Sequence, residues 1–146
     1  MLNIIFPQHN FRIKKENSRH FIFDEVRRLW VKLTPEEWVR QNFLQYLIQE
    51  KHYSPAIISV EKEIKVGELK KRYDIVVYNN SSPWMIIECK KSNATLNTTV
   101  IEQVIRYNIA LSIQYFVITN GNQSFAYEVS DNLFKELSDL PLIKTL

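Results

Sequence analysis

The sequence predicts a single α/β domain in which a mixed central β-sheet is flanked by helices. Three observations support this prediction: a capped amphipathic helix, three strand-like segments after it, and a second capped helix followed by two more strands. The predicted element order is α-β-β-β-α-β-β-α. A chain of 146 residues corresponds to one domain, so residues 1–146 are treated as one unit with an N-terminal extension, 1–33, packed on its core.

The first predicted helix begins at Thr34-Pro35-Glu36-Glu37. Threonine followed three residues later by glutamate is a capping box, and proline suits the first helical position. Apolar residues then recur at helical spacing, which extends the helix to about residue 50: Trp38, Phe43, Leu44, Leu47 and Ile48.

Three strands are predicted next, at 57–66, 72–78 and 84–90. The last two are joined by Asn79-Asn80-Ser81-Ser82-Pro83, which consists of turn-forming residues. In the first strand, Glu61 and Glu63 are expected to face solvent.

The second predicted helix, 100–112, is capped by Asn97-Thr98-Thr99. Strands at 115–119 and 125–129 flank the hairpin signal Asn120-Gly121. Asp131 is interpreted as the cap of a last helix that ends near residue 140.

Composition excludes several classes of function. With only two glycines the chain has neither a P-loop nor a Rossmann dinucleotide turn, so no ATP-driven motor is expected within it. One cysteine and three histidines cannot form a structural zinc site, so any metal must be bound by oxygen ligands. The chain has no signal peptide and no apolar run of the roughly 18 residues that cross a bilayer, so it is expected to be cytoplasmic and not to bind membranes.

The net charge of +3 permits nucleic-acid binding without arguing strongly for it. The distribution of the basic residues is more informative than their sum. They cluster at three places, each of which could simply be a solvated surface: Arg12, Lys14, Lys15 and Arg19; Lys70, Lys71 and Arg72; Lys90 and Lys91.

The central hairpin contains the most informative residues. If it pairs symmetrically about Ser81, then Tyr78 faces Trp84, Val76 faces Ile86, and Asp74 faces Glu88. Because side chains alternate between faces, Lys90 shares the face of the two carboxylates. The other face is filled by a second set of residues: Ile75, Val77, Met85, Ile87 and Cys89.

Two opposed carboxylates destabilise a sheet unless their charge is compensated. A Glu88–Lys90 ion pair is one explanation. The other is a divalent cation such as Mg²⁺, bound by Asp74, Glu88 and the backbone carbonyl of Cys89, with Lys90 orienting or deprotonating water or stabilising a phosphate. The second explanation describes a metal-dependent phosphodiesterase.

The sequence resembles the PD-(D/E)XK nuclease core, and most closely the N-terminal nuclease domain of type I restriction enzyme R subunits. The resemblance is carried by the following segments: Phe23-Asp24, the run from Leu33 to Gln41, Arg72-x-Asp74, Glu88-Cys89-Lys90, Gln103-x-x-x-Tyr107 and Thr119-Asn120-Gly121. Tyr73 stands where the family name has proline, a position where that proline is often absent.

The resemblance implies a restriction-endonuclease-like core that cleaves DNA with Mg²⁺, for which Mn²⁺ could substitute. It implies that Asp74 and Glu88 are metal ligands and Lys90 the catalytic lysine. It further implies that Gln103 and Tyr107 form a Q-x-x-x-Y motif that lies beside the metal site and contacts DNA. Without the resemblance, both would be interpreted as polar residues at the boundary of the apolar stripe of the second helix.

Three other residues are candidates with simpler alternatives. Glu37 could be a further metal ligand, although its spacing from Thr34 already explains it as a cap. Arg72 and Lys91 are candidate DNA contacts, Arg72 only if its strand begins after it.

The primary hypothesis is therefore a DNA endonuclease without an attached translocase. The alternatives are a non-catalytic nucleic-acid-binding or assembly module with the same fold, and a repair or junction-resolving nuclease. Expected partners are DNA and the specificity, modification or motor subunits of a restriction system, and a homodimer would allow cleavage of both strands.

Overall fold

The computed structural model describes residues 1–108 and 112–143. Within them the chain forms two sheets and two helices in the order β-β-β-α-β-β-β-α-β-β-β. The mixed α/β class is as predicted, but the predicted element order is wrong at both ends of the chain. No helix in these ranges is long and apolar enough to span a membrane.

The N-terminal extension contains three strands that were not predicted: β1 (Ile13–Glu16), β2 (Arg19–Asp24) and β3 (Leu29–Lys32). They form an antiparallel sheet in the order β1-β2-β3. Asn17 and Ser18 make the first turn with left-handed φ angles of 50° and 66°, the geometry of a tight hairpin turn.

The first helix, α1, spans Pro35–Gln45 and continues as a wider, π-helical turn at Tyr46–Glu50. The predicted start and end are therefore confirmed. The hydroxyl of Thr34 accepts a hydrogen bond from the backbone N–H of Glu37 at 3.1 Å, so the predicted cap is present.

The main sheet has six strands in the order β4-β5-β6-β7-β8-β9. Their bounds are Ile58–Val66, Leu69–Asn79, Ser82–Cys89, Tyr115–Thr119, Ser124–Ser130 and Leu133–Leu137. Neighbours pair antiparallel except β6 and β7, which are parallel and are connected through the second helix, α2 (Thr98–Asn108). The cap of α2 is Asn97, whose side-chain oxygen accepts from the N–H of Val100; the predicted residues 109–111 lie outside the described residues.

The predicted last helix is wrong, because residues 133–137 form strand β9. Asp131 and Asn132 adopt left-handed φ angles of 47° and 65° and make a tight turn that pairs β9 with β8. Aspartate and asparagine tolerate this conformation as readily as they cap helices, so the same residues fit both interpretations.

Helices cover both faces of the main sheet. On one face α1 packs on a core that includes Ile75, Val77, Met85, Ile87 and Cys89, the set predicted to share a face. On the other face α2 packs on Val76, Ile86, Phe116 and Ile118. The central strands are therefore buried on both sides.

The β5–β6 pairing confirms the predicted register in its inner part, where Val76 pairs with Ile86. Beyond Val77 the register shifts, and Tyr78 pairs with Pro83, so the predicted Tyr78–Trp84 pair is wrong. The reason is that Asn80 and Ser81 alone make the turn, with left-handed φ angles of 51° and 65°, and are not the centre of a five-residue loop.

Candidate active site

Asp74 and Glu88 lie next to each other where the regular β5–β6 pairing ends at Ile75 and Ile87. The Asp74 carboxylate accepts a hydrogen bond from the backbone N–H of Cys89 at 2.8 Å. It is also hydrogen-bonded to the carboxyl group of Glu88. The side chain of Asp74 thus bridges the ends of the two strands beside Glu88.

Strand β5 changes faces at Asp74. Ile75 belongs to the core under α1, whereas Tyr73, two residues away, belongs to the core under α2. In a regular strand these two residues would share a face. Across the sheet, Val60 pairs with Ile75 and Lys62 with Tyr73, so Glu61 lies opposite Asp74 between these pairs.

Glu61 has a left-handed backbone with φ of 52°, an uncommon conformation for a residue other than glycine. Its carboxylate and that of Asp74 both accept from the same nitrogen of Arg40, Nη1, at 3.2 Å each. Glu61 is exposed, as the sequence indicated, but its contact with Arg40 was not foreseen. Simple alternation predicts that Asp74 lies on the face opposite Ile75, but its carboxylate reaches Arg40 of α1, the helix that covers the Ile75 face.

A network of buried ion pairs supports this arrangement. Arg40 contacts Glu37 through two nitrogens, at 2.6 and 2.8 Å. Arg27 contacts Glu37 at 3.1 Å and Asp24 at 2.7 Å, and it lies 3.6 Å from Glu61. Two guanidinium groups therefore face four carboxylates, which leaves this network with a net negative charge.

Glu37, a candidate metal ligand, is placed in that network. Burial acts to raise its pKa, but hydrogen bonds and positive charge from Arg40 and Arg27 together lower it. The carboxylate is 5% exposed and its contacts are with Arg27, Arg40 and Gln41. Glu37 thus acts on Asp74 through Arg40.

Glu88 has the opposite electrostatic environment. Burial, together with the negative charge of Asp74 and the hydrogen bond to it, raises the pKa of Glu88 to about 8. The positive charges of Lys90 and Lys71 offset part of this effect. No Glu88–Lys90 ion pair is present among residues 1–108 and 112–143, so the simpler explanation of the acidic pair lacks its salt bridge.

An open cavity of about 390 Å³ lies beside Glu88, between α2 and the strands. Five of the predicted site residues line it, together with Lys71 and Val104: Arg72, Glu88, Lys90, Gln103 and Tyr107. The ammonium group of Lys71 lies 3.4 Å from the centroid of the Tyr107 ring, a close cation–π contact. The exposed Lys91 follows the strand but does not line this cavity.

Arg72 lines the cavity although its strand begins before it, at Leu69. Lys71 was noted only as a member of a basic cluster. Its pairing with Ile64 across β4–β5 positions it, and that pairing could not be read from the sequence around it.

The loop after Lys90 is fixed by the Thr119-Asn120-Gly121 turn. The backbone N–H of Lys90 donates to the carbonyl of Thr119 at 2.8 Å. The side-chain amide of Asn120 donates to the carbonyl of Ala94 at 2.9 Å. Gly121 has φ of 89°, and a Cβ atom there would lie 3.2 Å from a methyl group of Val39. The turn therefore connects α1 to the segment that contains Lys90.

The donor set fits a hard divalent cation. No group of three or more His, Cys, Asp or Glu side chains suited to a metal ion occurs among the described residues. Mg²⁺ does not need one, because it is commonly bound by one or two carboxylates, water and substrate phosphate. Asp74, Glu88 and the carbonyl of Cys89 would supply such ligands.

The fold and the cavity define a mixed α/β domain in which two acids and a lysine meet at the end of a central hairpin. A family model described as type I restriction enzyme R protein N terminus (HSDR_N) matches residues 35–141. This is well over half of the chain, and the chain belongs to that family. The domain is thereby associated with restriction–modification systems. No curated protein matches the chain.

Proposed function

We propose that this domain is a Mg²⁺-dependent DNA endonuclease of the PD-(D/E)XK type that resembles the nuclease module of a type I restriction R subunit, without the ATP-dependent translocase. The observation that supports this most directly is that Asp74 is the neighbour of Glu88, which lines a cavity together with Lys90, Lys71 and Arg72. Carboxylates that can hold a metal ion, next to cationic side chains that can hold a phosphate, suit hydrolysis of a phosphodiester.

Asp74, Glu88 and the Cys89 carbonyl would hold the metal ion. When bound, Mg²⁺ would supply charge stabilisation for the phosphate and lower the pKa of a bound water. Lys90 would orient or deprotonate the attacking water, or stabilise charge on the phosphate. Arg72, Lys91, Gln103 and Tyr107 would contact the DNA backbone near the scissile bond.

Arg40 is a positioning residue in this proposal. It fixes one oxygen of Asp74 while the N–H of Cys89 fixes the other. The carboxylate is thus held in one orientation next to Glu88 before any cation binds, which reduces the ordering needed on binding.

The test is calorimetric titration of Mn²⁺ or Mg²⁺ into the wild type, Glu88→Gln and Glu102→Gln, followed by a plasmid-cleavage assay on the same proteins. Glu102 is an exposed acid of α2 outside the cavity lining, so it controls for the loss of one carboxylate. We expect binding and cleavage to be lost in Glu88→Gln and kept in Glu102→Gln.

Metal binding that survives Glu88→Gln would contradict the proposed ligand set. If the wild type binds no metal, the titration is repeated with a non-cleavable duplex, and absence of binding there as well would contradict the proposal. Metal and DNA binding without cleavage, both alone and with the specificity, modification and motor subunits of a restriction system added, would identify the alternative, a non-catalytic module. The same proposal includes two further features. Cleavage depends on the specificity, modification or motor subunits of a restriction system, and two copies of the domain pair to cut both strands.

A further inference from the structure

The N-terminal sheet presents a face on which aromatic rings and cations alternate. Phe21 and Phe23 of β2 share this face with Trp30 and Lys32 of β3, since Phe21 pairs with Lys32 and Phe23 with Trp30. Ile22, between the two phenylalanines, is fully buried on the opposite side. We call this surface the cation–aromatic face, and it consists of Arg12, Lys14, Arg19, Phe21, Phe23, Trp30 and Lys32.

The rings hold two of these cations in place. The guanidinium of Arg12 lies 4.5 Å from the centroid of Phe23 and 5.4 Å from that of Trp30. The ammonium of Lys14 lies 4.5 Å from the centroid of Trp30. Contacts of this kind attract a cation to the ring and restrict its motion.

The positive charge of the face is mostly uncompensated. The acid beside these cations is Glu16, which pairs with Arg19 across the strands. Its carboxylate lies 3.5 Å from the ammonium of Lys14 and is 62% exposed, so the ion pair is weak. In the described part of the chain no carboxylate forms an ion pair with Arg12, Arg19 or Lys32. Four cations therefore face one carboxylate.

We propose that the cation–aromatic face is a second nucleic-acid site, which binds the sugar–phosphate backbone of DNA independently of base sequence. Arg12 and Lys14 are two residues apart, about 6.8 Å along a strand. A duplex carries one phosphate charge per about 1.7 Å of axis, so several phosphates fall within reach of the face. Because cations already cover the rings, base stacking is not part of the interaction.

DNA fits this face better than a lipid surface does. Binding to a membrane interface needs apolar side chains that can enter the acyl region. The three rings here are half-buried, and cations lie over them. The face offers fixed charges and little apolar surface to insert.

This site lies outside the part of the chain that defines the family, since the matched residues begin at 35. It is nevertheless joined to the candidate active site. Asp24, buried at the end of β2, bonds to Arg27 and to Gln41 of α1, and Arg27 also contacts Glu37. DNA on this face would therefore be held in a defined position relative to the cavity.

The test is fluorescence anisotropy with a labelled 20-base-pair duplex in EDTA over a range of salt concentrations. The variant is Arg12→Gln/Lys14→Gln, and the matched control is Lys65→Gln/Lys135→Gln, which removes the same charge from two exposed lysines elsewhere. We expect the first pair to weaken binding about tenfold or more and to make the slope of log K against log salt less negative by about 1.8. The control should change the affinity and the slope by only a small fraction of the changes expected for Arg12→Gln/Lys14→Gln.

Trp30→Leu keeps all the charges but removes the ring beneath Lys14, and it should weaken binding several-fold with little change in slope. Equal weakening by the two double variants would show a nonspecific charge effect and would overturn the proposal. So would unchanged binding by Arg12→Gln/Lys14→Gln with its thermal unfolding intact. If Arg12→Gln/Lys14→Gln loses binding to vesicles that contain phosphatidylserine but binds the duplex as the wild type does, the face is a membrane site instead.

The outcome is separable from that of the proposed nuclease. Cleavage plays no part in an EDTA experiment, so the anisotropy titration tests the cation–aromatic face whether or not the domain is a nuclease. If no metal-dependent cleavage exists, the face can still bind DNA; if the face does not bind, cleavage can still occur.

Discussion

At the scale of single residues, Glu88 combines burial with a like charge. Its pKa is raised to about 8 by burial and by Asp74, whereas an unfolded glutamate has a pKa of about 4.3. Between these values the folded state binds more protons than the unfolded state, so this group's contribution to stability falls as the pH rises. Below about pH 4.3 the contribution is fully present, and above about 8 it is lost.

We therefore expect the metal-free wild type to lose more stability between pH 5 and pH 8.5 than Glu88→Gln does. The expected difference is on the order of 5 °C in Tm. It is measured by thermal unfolding of both proteins in EDTA. Other groups titrate in the same range, and the comparison with Glu88→Gln removes their effect. Parallel Tm curves for the two proteins would show that Glu88 titrates normally.

At the scale of elements, the turn between β7 and β8 depends on Gly121. Its φ of 89° strains any residue with a Cβ, and that atom would also lie 3.2 Å from Val39. Gly67 has φ of 61° with nothing within 4 Å of a Cβ, so it serves as the control. We expect Gly67→Ala to cost about 1 kcal/mol, the cost of left-handed backbone alone, and Gly121→Ala clearly more.

Urea unfolding of the two glycine variants measures this difference. Because the turn fixes the loop after Lys90, Gly121→Ala is also expected to disturb the cavity. Equal destabilisation by the two substitutions would mean that Val39 moves aside at no cost and that the contact with α1 does not matter.

The elements that were predicted correctly have local signals. The start of α1 follows from Thr34 and Pro35, and the inner register of β5 and β6 follows from the short connection between them. The last segment failed because Leu133, Phe134 and Leu137 suit a helix as well as a strand, and its pairing with β8 decided between them. The N-terminal strands were not predicted because they are short. Strand pairing and cation–π contacts stabilise them.

The candidate site divides in the same way. Asp74, Glu88 and Lys90 could be placed together from the sequence because one hairpin contains them. Arg40 and Asp74 are 34 positions apart, and their contact depends on β5 changing faces beside a left-handed Glu61. Nothing in the local sequence indicates that change, so the network that orients Asp74 could only be seen in the structure.

At the scale of the whole molecule, the two arginines join parts of the chain that are distant in sequence. Arg27 contacts Glu37 of α1 and Glu61 of β4. Arg40 of α1 contacts Glu61 of β4 and Asp74 of β5. Arg40 is 8% exposed. Removal of one partner from a buried network leaves the remaining charges uncompensated.

We expect Arg40→Leu to lower the free energy of unfolding by about 3–5 kcal/mol. Arg40→Lys should lower it by less, because lysine keeps the charge but cannot make the two-nitrogen contact with Glu37. Urea denaturation measures both changes, with Arg106→Leu as the control for an exposed arginine. A loss no larger for Arg40→Leu than for this control would show that the network contributes nothing to folding.

At Glu61 the backbone conformation and the side-chain contacts favour different residues. Glycine would adopt φ of 52° without strain, so a substitution chosen on backbone geometry alone would place glycine at this position. The same substitution would delete one of the acceptors that hold Arg40 against Asp74. Relief of backbone strain at this one position would therefore be gained at the expense of the orientation of a proposed metal ligand.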